Sequence, residues 1–179
     1  MLQDIREVLI SKEAIEAKTK ELAERISRDY KGKDLLVVGV LKGSVIFASE
    51  LIKNITIPCE IDFMAVSSYG SSSETTGVVR ILKDLDSEIS GKHILIVEDI
   101  ADSGVTLSYL LNYLKTRNAS SVEIASLLTK PSRRKVDIDC KYVGFETPDE
   151  FLVGYGLDYA EKYRNLPFIG ILKREVYEK

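Results

Sequence analysis

One stretch constrains this chain more than any other: His93-Ile94-Leu95-Ile96-Val97-Glu98-Asp99-Ile100-Ala101-Asp102-Ser103-Gly104-Val105-Thr106. Ile94 to Val97 is an unbroken apolar run, the pattern of a strand buried on both faces. Two acids follow at once, then a tight turn, Asp102-Ser103-Gly104, and Thr106 leads into an apolar helical run. A strand, an acidic end, a small-residue loop and a helix start form the junction at which open α/β sheets bind ligands. Small and hydroxyl-bearing residues let the backbone approach a ligand. The free N–H groups and dipole of a helix start favour an anion such as phosphate. Glu98 and Asp99 would repel a phosphate, unless the ligand also brings a divalent metal or sugar hydroxyls for carboxylates to hold. Neighbours in an extended chain point to opposite faces. The two acids are therefore not expected to grip one ion together; at least one should hold hydroxyls or reach a metal through water.

The rest of the chain supplies more such junctions. Ile5 to Ile10 reads as extended. Ser11 caps a helix from about Lys12 to Tyr30, with Ala14, Ile15, Leu22, Ala23 and Ile26 as its apolar stripe. Leu35 to Leu41 reads as a buried strand that runs into Lys42-Gly43-Ser44 and a helix from Val45. In a parallel sheet this second junction falls on the same edge as the first. Glu60 to Val66 and Val78 to Leu82 read as strands around the one long Gly/Ser-rich stretch, about 68–77. Tyr69 is the only bulky residue in that stretch, whose expected role is a lid over a reactive site. Leu107 to Leu114 reads as a helix and Val122 to Leu128 as a strand ending at Lys130. Val143 to Glu146 is a short extended piece. Phe151 to Tyr159 reads as a short apolar strand, a glycine pair and Asp158, and Phe168 to Leu172 as the last strand. The expected architecture is α/β: a mainly parallel central sheet with helices on both faces, plus a small hood from the N- and C-terminal segments. Its expected limits are a core of about 30–130 and a hood of about 1–12 and 131–179, all in one domain over 1–179.

Composition excludes several classes. The 179 residues carry a net charge of −3, which gives no sign of a nucleic-acid or membrane partner. Cys59 and Cys140 have neither a disulfide framework nor metal-ligand spacing. Asp4, Arg6 and Glu7 interrupt any apolar run that would suit a signal peptide, and no stretch approaches a membrane span. A cytoplasmic location is expected.

Val97 to Thr106 resembles the phosphoribosyl diphosphate (PRPP) signature of the type I phosphoribosyltransferases. Four further motifs occur in that family's order: Leu41-Lys42-Gly43, Ser67-Ser68-Tyr69-Gly70, Lys130 after its strand, and Phe151 through Arg164. Val153-Gly154-Tyr155-Gly156-Leu157-Asp158-Tyr159 with Arg164 is similar to the 6-oxopurine branch, whose bacterial members act on hypoxanthine and guanine. Ala101 and Val105 stand where bulkier or basic residues are common, at filler positions of the pattern. The resemblance implies transfer of the 5-phosphoribosyl group from PRPP to N9 of the purine, giving IMP or GMP and diphosphate, with Mg²⁺. It implies these roles. Leu41, Lys42, Gly43, Arg164, Ser68 and Tyr69 would meet the diphosphate of PRPP, with a non-proline cis peptide between Leu41 and Lys42. Glu98, Asp99, Asp102, Ser103, Gly104, Val105 and Thr106 would hold the ribose phosphate. Asp102 would take the N7 proton as general base. Lys130, Phe151, Leu152 and Asp158 would bind the purine, Lys130 by donating to O6 and Phe151 by stacking. Glu98, Asp99 and Asp158 would serve the metal. The family also suggests a dimer or tetramer of identical chains. Two other readings stay open at this level. One is a regulator of the same fold that binds PRPP or nucleotide without catalysis. The other is a phosphoribosyltransferase for another base.

Overall fold

The computed structural model describes residues 1–68 and 78–178. The stretch expected to act as a lid, with Tyr69, lies outside the described residues, as does the Ser68 side chain. The elements in chain order are β1 (Ile5–Ile10), α1 (Lys12–Asp29), β2 (Leu35–Leu41), α2 (Val45–Asn54), β3 (Glu60–Ser68), β4 (Val79–Lys83), β5 (His93–Ala101), α3 (Val105–Lys115), β6 (Ser121–Thr129), β7 (Tyr142–Glu146), β8 (Leu152–Val153), β9 (Ile169–Leu172) and α4 (Arg174–Tyr177). Ser11 caps α1 as expected, its Oγ accepting from the Ala14 N–H at 3.2 Å.

The main sheet has the order β4-β3-β2-β5-β6-β7. All of its pairings are parallel except β3 with β4. Alternation explains the unbroken apolar runs. Leu35 and Val37 face α1 and α2, with Ile15, Leu22, Phe47 and Leu51, while Leu36, Val38 and Val40 face α3, with Leu107, Leu110 and Leu114. Both faces are covered, so both phases of the strand are apolar. From β2 the chain winds outward through α2 to β3, and from β5 it winds the other way through α3 to β6. The winding reverses between β2 and β5, and the crevice beyond their carboxyl ends is where such sheets bind ligands. The loops after Leu41 and Ala101 flank that crevice.

The boundary expected at 131 needs correction. The expected hood takes in residues 142–146, but β7 pairs in parallel with β6, Ala125 with Tyr142 through Thr129 with Glu146, and so completes the core sheet. A parallel crossover usually contains a helix. Here the connection is a short 3-10 turn, Pro131–Arg133, and irregular chain, so residues 131–141 read as leaving the sheet. A separate three-stranded sheet, in the order β1-β9-β8, joins the two ends of the chain. Among the described residues no helix is long and apolar enough to cross a membrane.

Candidate active site

Two adjoining clefts open at the carboxyl edge of the main sheet. One, of about 470 Å³, is lined by Leu41, Gly43, Glu98, Asp99, Ser103, Gly104, Thr106 and Arg164, among others. The second, of about 460 Å³, is lined by Lys130, Phe151, Leu152 and Leu157 together with Arg133, Arg174 and Tyr177. Ile100, Asp102 and Asp158 line both.

The first cleft is built around the turn between β5 and α3. Gly104 takes φ 85, and a side chain there would come within 2.7 Å of the Val136 carbonyl. The Ser108 N–H donates to Gly104 O at 2.9 Å and the Val105 N–H to Ser103 Oγ at 3.4 Å, and the first amides of a helix otherwise have no intrahelical partner. The Lys135 and Val136 N–H groups donate to Ser103 O at 2.9 and 3.1 Å, which pins the turn from behind. The backbone of residues 135 and 136 thus fixes the turn that leads into α3.

Glu98 and Asp99 do not follow the opposite-face expectation. Both residues line the same cleft, close enough for each carboxyl to feel the other's charge. The Asp99 N–H donates to Glu98 Oε1 at 3.2 Å and the Ile100 N–H to Asp99 Oδ1 at 2.7 Å, so each carboxylate folds back onto the next amide while β5 keeps its register with β6 through Ala101. Burial pushes the Glu98 carboxyl well above the usual range, and the Asp99 charge pushes it further. Burial also raises Asp99. Its hydrogen bonds with Glu98 and the Ile100 N–H, and the Arg164 charge, oppose that rise. Two neighbouring carboxyls at a largely buried site favour a cation or a hydroxyl-bearing ligand, either of which offsets the cost of charging both.

The loop after β2 closes the same cleft. The peptide between Leu41 and Lys42 is cis. A Cβ on Gly43 would lie 1.8 Å from Asp99 Oδ2, so no other residue leaves space for that carboxylate. On its far side Gly43 meets the hood: a Cβ on Gly156 would stand 1.9 Å from Gly43 O. Arg164 is fixed through the same glycine, donating from Nη1 to Gly156 O at 2.7 Å. Its Nη2 reaches Asp158 Oδ1 at 3.1 Å and Glu161 Oε1 at 3.2 Å, while Nε is buried without a partner.

The second cleft holds the groups expected to meet a base. The Lys130 amide donates to Ala101 O at 3.0 Å, tying the end of β6 to the end of β5. Its Nζ, almost fully buried, donates to Glu150 O at 2.6 Å. Burial lowers the pKa of this amine. Phe151 follows directly in the chain. Its ring stacks on Tyr177 of α4, 4.7 Å between centroids and 29° between planes, and meets Tyr159 edge-on at 5.5 Å. Asp102 stands where the two clefts join. Arg133 Nε lies 3.0 Å from Asp102 Oδ1, but its N–H is not aimed at that oxygen, which is buried without a hydrogen-bond donor. An acceptor held in place with a free lone pair suits a proton-accepting role.

Of the expected residues, the structure brings together every one it describes with its side chain, except that Lys42 and Val105 flank the clefts rather than line them. Sequence reasoning missed Glu161, Gly156, Arg133 as a neighbour of Asp102, and Tyr177. Only Gly156 and Glu161 lay within a segment already singled out, Phe151 through Arg164; nothing in the sequence marked Tyr177.

The family model for the phosphoribosyl transferase domain matches residues 8–160. The chain is 55% identical over 178 residues to a hypoxanthine-guanine phosphoribosyltransferase of Bacillus subtilis, covering 99% of each. It is 53% identical over 177 residues to one of Streptococcus thermophilus, covering 99% of this chain and 98% of that one. A crystal structure of a hypoxanthine phosphoribosyltransferase from Staphylococcus aureus superposes with a TM-score of 0.97 at 54% identity, covering 100% of this chain and 97% of that chain. Likeness of this extent takes in both clefts and the sheet that positions them, and the chain belongs to the phosphoribosyl transferase family, among the hypoxanthine-guanine phosphoribosyltransferases.

Proposed function

We propose that the two clefts divide one reaction between them: transfer of the 5-phosphoribosyl group from PRPP to N9 of hypoxanthine or guanine, yielding IMP or GMP and diphosphate. One observation carries this reading. Asp102 lies on the wall common to the phosphate-loop cleft and the cleft of Lys130 and Phe151, so one carboxylate can serve a ribose phosphate and a base together.

The residue roles follow from chemistry. The amides and hydroxyls of Ser103 to Thr106 take the 5′-phosphate. Glu98 and Asp99 accept from ribose hydroxyls, which offsets their burial. Gly43, Lys42 and Arg164 meet the diphosphate, and the unpartnered Arg164 Nε supports an anion there. Ser68 and Tyr69 complete that side. As the C1′–O bond breaks, negative charge grows on the leaving diphosphate and these donors stabilise it. Asp102 holds the N7 proton as N9 attacks. Lys130 donates to the purine O6, which disfavours adenine because adenine offers an N–H₂ group there. Phe151 stacks on the ring, and the backbone at Leu152, with Asp158, meets the C2 edge.

Mg²⁺ fits the donor set. Glu98, Asp99 and Asp158 are hard carboxylate ligands on one cleft, and among the described residues no three His, Cys, Asp or Glu side chains converge to hold an ion alone. That suits an ion completed by water and substrate oxygens. When bound, it would neutralise charge on the leaving diphosphate.

The same reading places the enzyme in the cytoplasm as an assembly of identical chains, dimer or tetramer, with the hood and the core sheet in one domain. Exposed Ile61 on β3 and Leu82 on β4 support an interface.

The test is an Asp102→Asn variant assayed with PRPP and each base. It should keep PRPP binding and lose about 10²–10⁴-fold in turnover. A near wild-type rate removes Asp102 as the base, and nucleotide formed from adenine or uracil instead of hypoxanthine or guanine removes the purine assignment.

A further inference from the structure

Glu161 has no role in the reaction as described, yet it sits between two residues that do. Its Oε2 accepts from Lys42 Nζ at 2.9 Å and its Oε1 from Arg164 Nη2 at 3.2 Å. Its own N–H donates to Asp158 Oδ2 at 2.9 Å, which aims the carboxylate from behind. The segment is held in an uncommon conformation. Ala160, Glu161 and Tyr163 have φ of 50, 63 and 77, a left-handed region that non-glycine residues rarely enter. Arg164 lines the cleft from the hood, and Lys42 flanks it on the loop after β2. A single carboxylate, one oxygen to each, spans them.

Diphosphate would need to make the same two contacts. We infer that Glu161 is an internal stand-in for diphosphate: it holds Lys42 and Arg164 together in the empty cleft, gives way when PRPP enters, and competes with product diphosphate for both cations. The inference rests on assigning Lys42 and Arg164 to the diphosphate. The contacts have the weakness that such a role needs. The Lys42 and Glu161 side chains are 68% and 65% exposed, and an exposed ion pair in water is readily exchanged for a better anion. A diphosphate with several charges outcompetes a single carboxylate. The carboxylate, tethered at high local concentration, then hastens the product's departure.

A double-mutant cycle tests this, with the Kd of diphosphate measured by titration calorimetry in Mg²⁺ buffer. Glu161→Gln should bind diphosphate roughly threefold to tenfold more tightly than the unaltered protein, as expected from removing two exposed contacts. It should also lower the KM for PRPP and leave the KM for hypoxanthine unchanged. In a Lys42→Ala background the gain should shrink to about half or less on a logarithmic scale. Unchanged diphosphate affinity in Glu161→Gln overturns the inference. So does an equal gain in both backgrounds, which would mean simple repulsion at a distance. If Lys42→Ala alone binds diphosphate like the unaltered protein, the assignment of Lys42 fails first and the inference falls with it, an outcome distinct from the other two.

Discussion

Replacing Gly156 by alanine should separate two effects that usually arrive together. Gly156 has φ +102, and its missing Cβ would lie 1.9 Å from Gly43 O, about 1.5 Å short of ordinary contact at 3.4 Å. The obstacle is a backbone carbonyl, so neither partner has a side chain to rotate away. The Gly156 N–H donates to Arg164 O at 3.0 Å and its carbonyl accepts from Arg164 Nη1, so any retreat moves Arg164 away from the loop after β2. The left-handed conformation alone costs about 1–3 kcal/mol. Relief of the overlap costs about 1–3 kcal/mol more. The sum, roughly 2–6 kcal/mol, corresponds to a fall in Tm of about 4–24 °C for a chain of this size. A displacement near 1 Å among positioning groups can lower kcat/KM by about 10²-fold, and this loss should fall on PRPP. Gly91→Ala is the matched control. It has φ +79 and nothing within 4 Å of its missing Cβ, so it carries the conformational cost without the overlap. It should lose about 1–2 kcal/mol and keep kcat/KM for PRPP. Thermal melts and steady-state kinetics on the two variants decide the matter. Equal stability losses, with PRPP kinetics within twofold of the unaltered protein in both, would refute the claim that the Gly43–Gly156 contact sets the cleft.

Three further variants probe the other walls. Lys130→Met should lower kcat/KM for hypoxanthine roughly 10- to 100-fold, the range for a hydrogen bond from a charged donor, and reduce discrimination against adenine; an unchanged hypoxanthine-to-adenine ratio in direct competition would argue against its reading of O6. Tyr177→Ala removes the ring stacked on Phe151 and should raise the KM for the base about twofold to tenfold while leaving that for PRPP alone, with Tyr177→Phe restoring it; equal shifts in both constants would point to a general packing defect. Glu98 titrates above its ordinary 4.5 in the folded chain, so the folded state binds more protons than the unfolded one over that window. The resulting stability is fully present below 4.5 and is lost as pH rises through the higher folded value. Glu98→Gln should therefore flatten the fall of Tm with rising pH in magnesium-free protein, and parallel curves for the two proteins would contradict the burial argument.

Much of the fold was legible because the relevant forces are local. The run from Ile94 to Val97 could only be a strand covered on both faces, and the two core clusters on its sides bear this out. The start of α1 was readable from Ser11, whose oxygen caps the helix. Misreadings came where long-range pairing overrode local pattern. Nothing near Tyr142 signals that it returns to the edge of β6 without a helix in between. The orientation of Glu98 and Asp99 was misjudged for a related reason. The rule of alternating faces fixes where a side chain leaves the backbone, whereas bonds to the Asp99 and Ile100 amides fold the two carboxylates back toward the strand's end.

The sequence by itself determined the chemical inventory: a small-residue loop at a helix start, two acids beside it, a lysine at a strand's end and an aromatic residue near an aspartate. These are short-range facts, since each motif's spacing is set by one strand, turn or helix. Tertiary structure decided how they combine. The reversal of winding between β2 and β5 brings Gly43 against Asp99, and the hood lays Gly156 against Gly43 and carries Arg164 into the cleft. It also placed Glu161 between Lys42 and Arg164 and Tyr177 on Phe151. Contacts such as Gly43 with Gly156 and Lys42 with Glu161, more than a hundred positions apart, depend on how sheets close and pack, which no local pattern encodes.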